Sequence, residues 1–156
     1  MLRIFQYILM GILLYGIVIL YGIRKLIQVF SKYPAKEKFL TGALVALVLF
    51  IAYRFGGSLD YYILAILLGI FIVLLMISKG LGHTRIVYTS MFFGLSGVRL
   101  IAYEDVEEIV LEEAEDFRLL IKTGQGSLEM SFPREEEGQI REILRENRIK
   151  IKEPLN

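Results

Sequence analysis

The densest gathering of chemically capable side chains is Glu112, Glu113, Glu115 and Asp116. Carboxylates this close together can chelate a hard cation such as Ca²⁺, or divide into an acid and a base if one is buried. Their spacing matches no EF-hand loop, and no glycine stands among them to turn the chain around an ion. A polar hairpin tip facing water explains them with less. His83 is the only histidine, and the chain has no cysteine. Disulfides, thiol catalysis and thiolate metal sites are therefore excluded, and the usual His/Cys transition-metal centre cannot be assembled. Gly124-Gln125-Gly126 lacks the Lys-Ser/Thr that follows a phosphate loop and reads as a hairpin turn. No nucleophile, base and orienting group come together, so the sequence reads as a non-enzyme without cofactor or metal.

Two other groupings point to contact rather than catalysis. Met91, Phe92, Phe93 and Leu95 put four large apolar side chains in a presumed hairpin loop, where exposure is costly. They are expected to meet the membrane, the protein's own core or a partner. Arg24, Lys25, Lys32, Lys36 and Lys38 follow the first long apolar segment. Near an anionic bilayer each such residue contributes about 1 kcal/mol of attraction, and the same residues set topology.

The elements that must position these residues fall into two halves. The chain is 55% hydrophobic with a mean hydropathy of +0.56, and the apolar excess lies in residues 1–79. Three apolar runs there, about 4–23, 39–55 and 61–78, the first and third without charge, approach the roughly 20 residues that span a hydrocarbon core. Arg54, near the end of the second, is placed to snorkel. The first run is too long for a signal peptide and has no small-residue cleavage site after it. None of the spans holds an internal ionisable residue, which weakens a transporter or channel reading. Gly42/Ala46 and Ala65/Gly69 are small pairs that suit helix packing within one chain, or a homo-oligomer formed through the spans.

The formal charge of +1 conceals a split. Residues from 80 onward carry ten bases and fifteen acids, a net of −5, which leaves +6 for residues 1–79. Such an acidic half excludes a nucleic-acid binder, which needs net positive surface. The basic residues between the first two spans put that loop in the cytoplasm by the positive-inside rule. The N-terminus is then outside, and residues 80–156 are cytoplasmic beneath the cell membrane. Within the loop, Leu26, Ile27, Phe30 and Tyr33 recur at helical spacing until Pro34. This predicts an interfacial helix or a continuation of the first span, and the second reading is the simpler.

After a hinge-like Gly80-Leu81-Gly82 the pattern turns to period two. Strands are predicted around 85–89, 98–102, 106–112, 117–122 and 127–132, joined as an antiparallel meander. Pro133 and Glu135–Glu137 then open a helix whose Ile140, Ile143 and Leu144 form one apolar stripe. Asn147 stops it, and Ile149 with Ile151 suit a last short strand. The fold class is thus three membrane helices followed by a C-terminal α+β domain.

The strand ending Leu100-Ile101-Ala102-Tyr103, the acidic pair Glu104-Asp105 and Val106 opening the next strand resemble bacterial pleckstrin-homology-like domains found beside transmembrane helices. The resemblance covers roughly residues 83–148. It implies an antiparallel sheet capped by one helix, with seven strands ahead of the helix where only about five are read here. Phosphoinositide binding is not carried over, because only Arg85 and Arg99 stand near the expected basic patch. The expected function is a non-enzymatic membrane-anchored adaptor whose domain docks a protein or peptide, with an open sheet edge as the candidate surface. The alternative is a small transporter or channel accessory subunit, or a membrane assembly factor.

Overall fold

The computed structural model describes residues 2–89, 98–113, 116–124, 126–149 and 151–152. Two compact units are present, Met1–Arg24 with Pro34–Ile77 and Lys25–Tyr33 with Ser78–Asn156.

The first unit is helical. Helices α1 (Leu2–Arg24), α2 (Ala35–Phe55) and α3 (Leu59–Ile77) are each long and apolar enough to cross a membrane. Helix α2 begins directly after Pro34, whose fixed φ suits a helix entrance, so it starts earlier than the apolar run alone suggests. Ala65 and Gly69 are buried on α3, and a Cβ on Gly69 would stand 3.4 Å from Val45 of α2. Gly42 and Ala46 instead point away from any neighbour. Helix α1 meets α3 at Gly16, where an added Cβ would come within 2.7 Å of the Phe71 ring. Thr41 is satisfied inside α2, its hydroxyl donating to the Glu37 carbonyl oxygen at 2.8 Å. Gln6 of α1 is buried as well.

The second unit holds two sheets and a helix. In the first sheet, β1 (Ile27–Phe30), β2 (Gly80–Gly82), β3 (Arg85–Thr89) and β4 (Val98–Ala102) lie in that order, all antiparallel. The second runs β7-β6-β5-β8, built from β5 (Val106–Glu113), β6 (Phe117–Thr123), β7 (Gly126–Phe132) and β8 (Ile151–Lys152). Its first three strands are antiparallel, and β8 joins β5 in parallel. A 3-10 turn, Tyr103–Asp105, connects the sheets, and α4 (Glu137–Glu146) follows a second such turn at Arg134–Glu136. Pro133 is extended and lies just ahead of that turn rather than in the helix. Val29, Leu81, Ile86, Ile109, Leu119, Ile121 and Phe132 from the sheets and Ile140, Ile143 and Leu144 from α4 form one core. Full burial of each such side chain contributes about 1.5–3 kcal/mol.

Three expectations are corrected here. The 26–33 segment is not helical, because Ile27 and Val29 are buried in alternation with exposed Gln28 and Phe30, the period-two signature of a strand. Gly80-Leu81-Gly82 is no hinge but the strand that β1 pairs with. A Cβ on Gly80 would lie 2.3 Å from the Val29 carbonyl oxygen, and one on Gly82 would lie 2.4 Å from that of Leu26. Only glycine lets these backbones approach so closely. The boundary expected at residues 79 and 80 also gives way, because Lys25–Tyr33 belongs with the C-terminal sheets. With β1 and β2 added, seven strands precede α4 among the described residues.

Helix α4 ends in a Schellman motif. The Ile149 N–H donates to the Leu144 carbonyl oxygen at 3.1 Å and the Arg148 N–H to that of Arg145 at 3.0 Å. Arg148 takes the left-handed conformation this motif requires, with φ of 55°.

Candidate functional site

Each sheet has two end strands whose outer backbone groups need partners, and the chain treats β7 and β4 differently. At the β7 edge, the Lys32 N–H donates to the Ser131 carbonyl oxygen at 2.6 Å. The Ser31 hydroxyl donates to the same oxygen at 3.0 Å. The residues just after β1 thus cover β7. Lys32 is held further by an ion pair to Asp116 ahead of β6. Strand β4, by contrast, pairs with β3 alone among the described residues. An end strand left open in this way is a template for one more strand.

Along β4 runs a groove of about 800 Å³. It is lined by Arg99, Leu100 and Ile101 of β4, by Glu104, Asp105 and Glu107, and by residues flanking the β6–β7 turn. Sequence positions that turn well. The Thr123 hydroxyl donates to the Gly126 carbonyl oxygen at 3.0 Å, and Gly126 has a φ of 133° that side-chain-bearing residues rarely adopt. Leu100 is 39% exposed on the strand itself, an apolar foothold beside three carboxylates and one guanidinium.

Tyr103 sets the corner where β4 passes into β5. Its ring joins the core, and its hydroxyl donates to the Gly82 carbonyl oxygen at 2.8 Å. Burial pushes that hydroxyl well above the ordinary tyrosine range, so it remains a donor. The aromatic side chain goes inward while Glu104 and Asp105 are left outside. That is the physical use of an aromatic followed by two acids at this position.

The residues singled out in the sequence are dispersed. Met91, Phe92, Phe93 and Leu95 lie outside the described residues. Arg24 closes α1, and Lys36 and Lys38 open α2, in the helical unit; Lys25 and Lys32 belong to the sheet unit. Glu112 is exposed one residue before the end of β5, and Asp116 is engaged by Lys32. His83 Nδ1 stands 3.6 Å from Glu146, and its carbonyl oxygen accepts from the Asn147 side chain at 3.0 Å, which docks the end of α4. Among the described residues no group of three or more His, Asp or Glu side chains is arranged to hold a metal. The β4 groove was missed in the sequence, since an edge is defined by which strands find partners. Its one local signal was the acid-rich Glu104-Asp105-Val106-Glu107.

The sequence profile of a family described as "Bacterial PH domain" matches residues 27–153. That match begins at the first residue of β1 and runs through both helices α2 and α3 to the residue after β8. No curated protein matches the chain.

Proposed function

Because this chain belongs to the bacterial PH domain family, whose PH-like members generally bind rather than catalyse, we propose that it is a membrane-anchored docking module. Its ligand is an extended segment of a partner protein that adds to β4 as a further strand. The β4 edge, unpaired among the described residues, carries this reading. Main-chain hydrogen bonds supply affinity in such strand addition, and alternate side chains supply selectivity. Glu104, Asp105 and Glu107 outweigh Arg99 at the groove, which favours a segment carrying Lys or Arg.

Topology supports an intracellular site. Strands β1 and β2 pair with each other, and a hydrogen-bonded pair cannot form across a bilayer. The end of α1, the start of α2 and the end of α3 therefore share one side of any membrane that the helices cross. Arg24, Lys25, Lys32, Lys36, Lys38 and Lys79 all lie at those ends, so the positive-inside rule assigns that side to the cytoplasm. The chain has no native cysteine, so labelling single cysteines at Ser58 and Ser127 in intact cells reads orientation directly. Impermeant reagent should reach Ser58→Cys alone, and the reverse pattern would sink the assignment.

The docking reading is tested on the purified full chain with an alternating Lys-Val peptide. Binding should perturb the β4 amides and weaken with salt, as screening requires. It should be lost when alternate peptide amides are methylated and when Glu104→Lys and Glu107→Lys are combined. Binding indifferent to amide methylation would rule out strand addition.

A further inference from the structure

The acidic sheet unit carries one basic face that the groove does not use. Arg141 and Arg145 stand one turn apart on the same side of α4, and Arg148 follows in the turn that ends the helix. Together with Ile149 and Ile151 they line a cleft of about 350 Å³. Arg141 is anchored, its Nε donating to Glu137 at 2.8 Å and its guanidinium lying 5.9 Å from the Phe117 ring centre. Arg145 and Arg148 are exposed, and among the described residues neither guanidinium has a hydrogen-bond or ion-pair partner. That is unexpected where acids outnumber bases fifteen to ten from residue 80 onward. Glu142 and Glu146 lie within a turn of Arg145, yet Glu146 turns to His83.

The backbone adds an independent observation. Arg148 occupies the left-handed position of the Schellman motif, where glycine is strongly preferred. Local stability would favour glycine, so the arginine there is unexplained by the fold. Attraction of cations to a helix C-terminus accounts for charge near this end, but it does not call for a side chain at the one position that disfavours it. Non-glycine residues in this conformation gather at ligand sites.

We propose that this face is an anion site for a phosphate group. Arg145 and Arg148 supply forked donors that match phosphate oxygens, Arg141 forms a fixed wall, and Ile149 and Ile151 accept apolar atoms next to the phosphate. Arg148 also borders a second recess with Glu104 and Glu107. Those carboxylates disfavour anions there, and this directs the phosphate to the α4–β8 side.

The test uses the full chain in neutral maltoside micelles and follows the arginine Nε–Hε NMR signals. Inorganic phosphate is added in one series, short-chain phosphatidic acid in a second and short-chain phosphatidylcholine in a third. The Arg145 and Arg148 signals should move and saturate with an anion but not with phosphatidylcholine. Saturation by inorganic phosphate identifies a free anion as sufficient; saturation by phosphatidic acid alone identifies a lipid headgroup. Arg148→Gly suits the backbone, so it should leave the thermal midpoint unchanged or raised while weakening binding about ten-fold, the loss expected for a charge-assisted pair. Arg145→Gln should weaken it similarly. The site is overturned if neither anion moves these signals, if Arg99 and Arg118 move in parallel with them, or if both variants bind as the parent does.

Discussion

The Tyr103 hydroxyl donates a 2.8 Å hydrogen bond to the carbonyl oxygen of Gly82, tying the turn between the two sheets to the end of β2. Gly82 also pairs with Ile27 of β1, so this residue lies at the meeting of three elements. Tyr103→Phe keeps the ring and strands that buried acceptor. It should lower unfolding free energy by about 1–3 kcal/mol, read by denaturant titration of the purified chain.

The β1–β2 pair should be intolerant of a single methyl group. Gly80→Ala and Gly82→Ala each force a Cβ into the β1 backbone. Each should cost about 1–3 kcal/mol or more, as overpacking does. Gly138→Ala is the control. It lies in α4 with nothing within 4 Å of the added Cβ, and helix propensity predicts a gain of up to about 1 kcal/mol. Thermal midpoints of the three variants should separate in that order.

A fragment that starts at residue 78 should not fold alone, because it lacks Val29, which is 1% exposed in the core. Phe30 pairs with Gly80, and the Ser31 N–H donates to the Lys79 carbonyl oxygen at 3.0 Å. A short turn joining residues 25–32 directly to 78–156 should therefore replace α2 and α3 and give a soluble folded domain. Amide NMR dispersion would distinguish the two, with dispersion in the shorter fragment counting against an essential β1.

Glu108 fastens β8 and β6 to β5. Hydrogen bonds from Lys152 first, then from Lys122 at 3.1 Å, hold its carboxyl below the ordinary value of 4.5. A carboxyl lowered in the folded state contributes stability that is full above its unfolded pKa and is lost as pH falls through its folded pKa. Release of β8 should thus begin only below about pH 4.5. In Glu108→Gln, hydrogen exchange at Ile151 and Lys152 should be fast at neutral pH and lose this acid step.

Legibility in the sequence followed the range of the interactions. The three apolar runs, the hairpins after residue 85 and the stripe Ile140/Ile143/Leu144 were readable because spans, turns and amphipathic helices are specified by neighbouring residues. Ile27–Phe30 was not. Leu26, Ile27, Phe30 and Tyr33 fit a helical period, while Ile27-Gln28-Val29 fits an alternating one too short to decide by itself. The Arg141/Arg145/Arg148 spacing was present in the sequence, but that two of them lack a partner among the described residues was not.

The sequence by itself determined that three apolar segments precede an acidic sheet-and-helix region, and that basic charge gathers at one end of the spans. Burial in lipid and amphipathic patterning are properties of a segment, so residues 4–23 or 140–144 carry them wherever they are. Tertiary structure alone decided that the sheet unit begins at Lys25, that Gly80-Leu81-Gly82 is a strand, and that, among the described residues, β4 keeps an unpaired edge while β7 is covered. Strand pairing is the physical reason. A backbone donor in β1 is satisfied only by an acceptor some fifty residues away, and no local pattern records which distant strand will supply it.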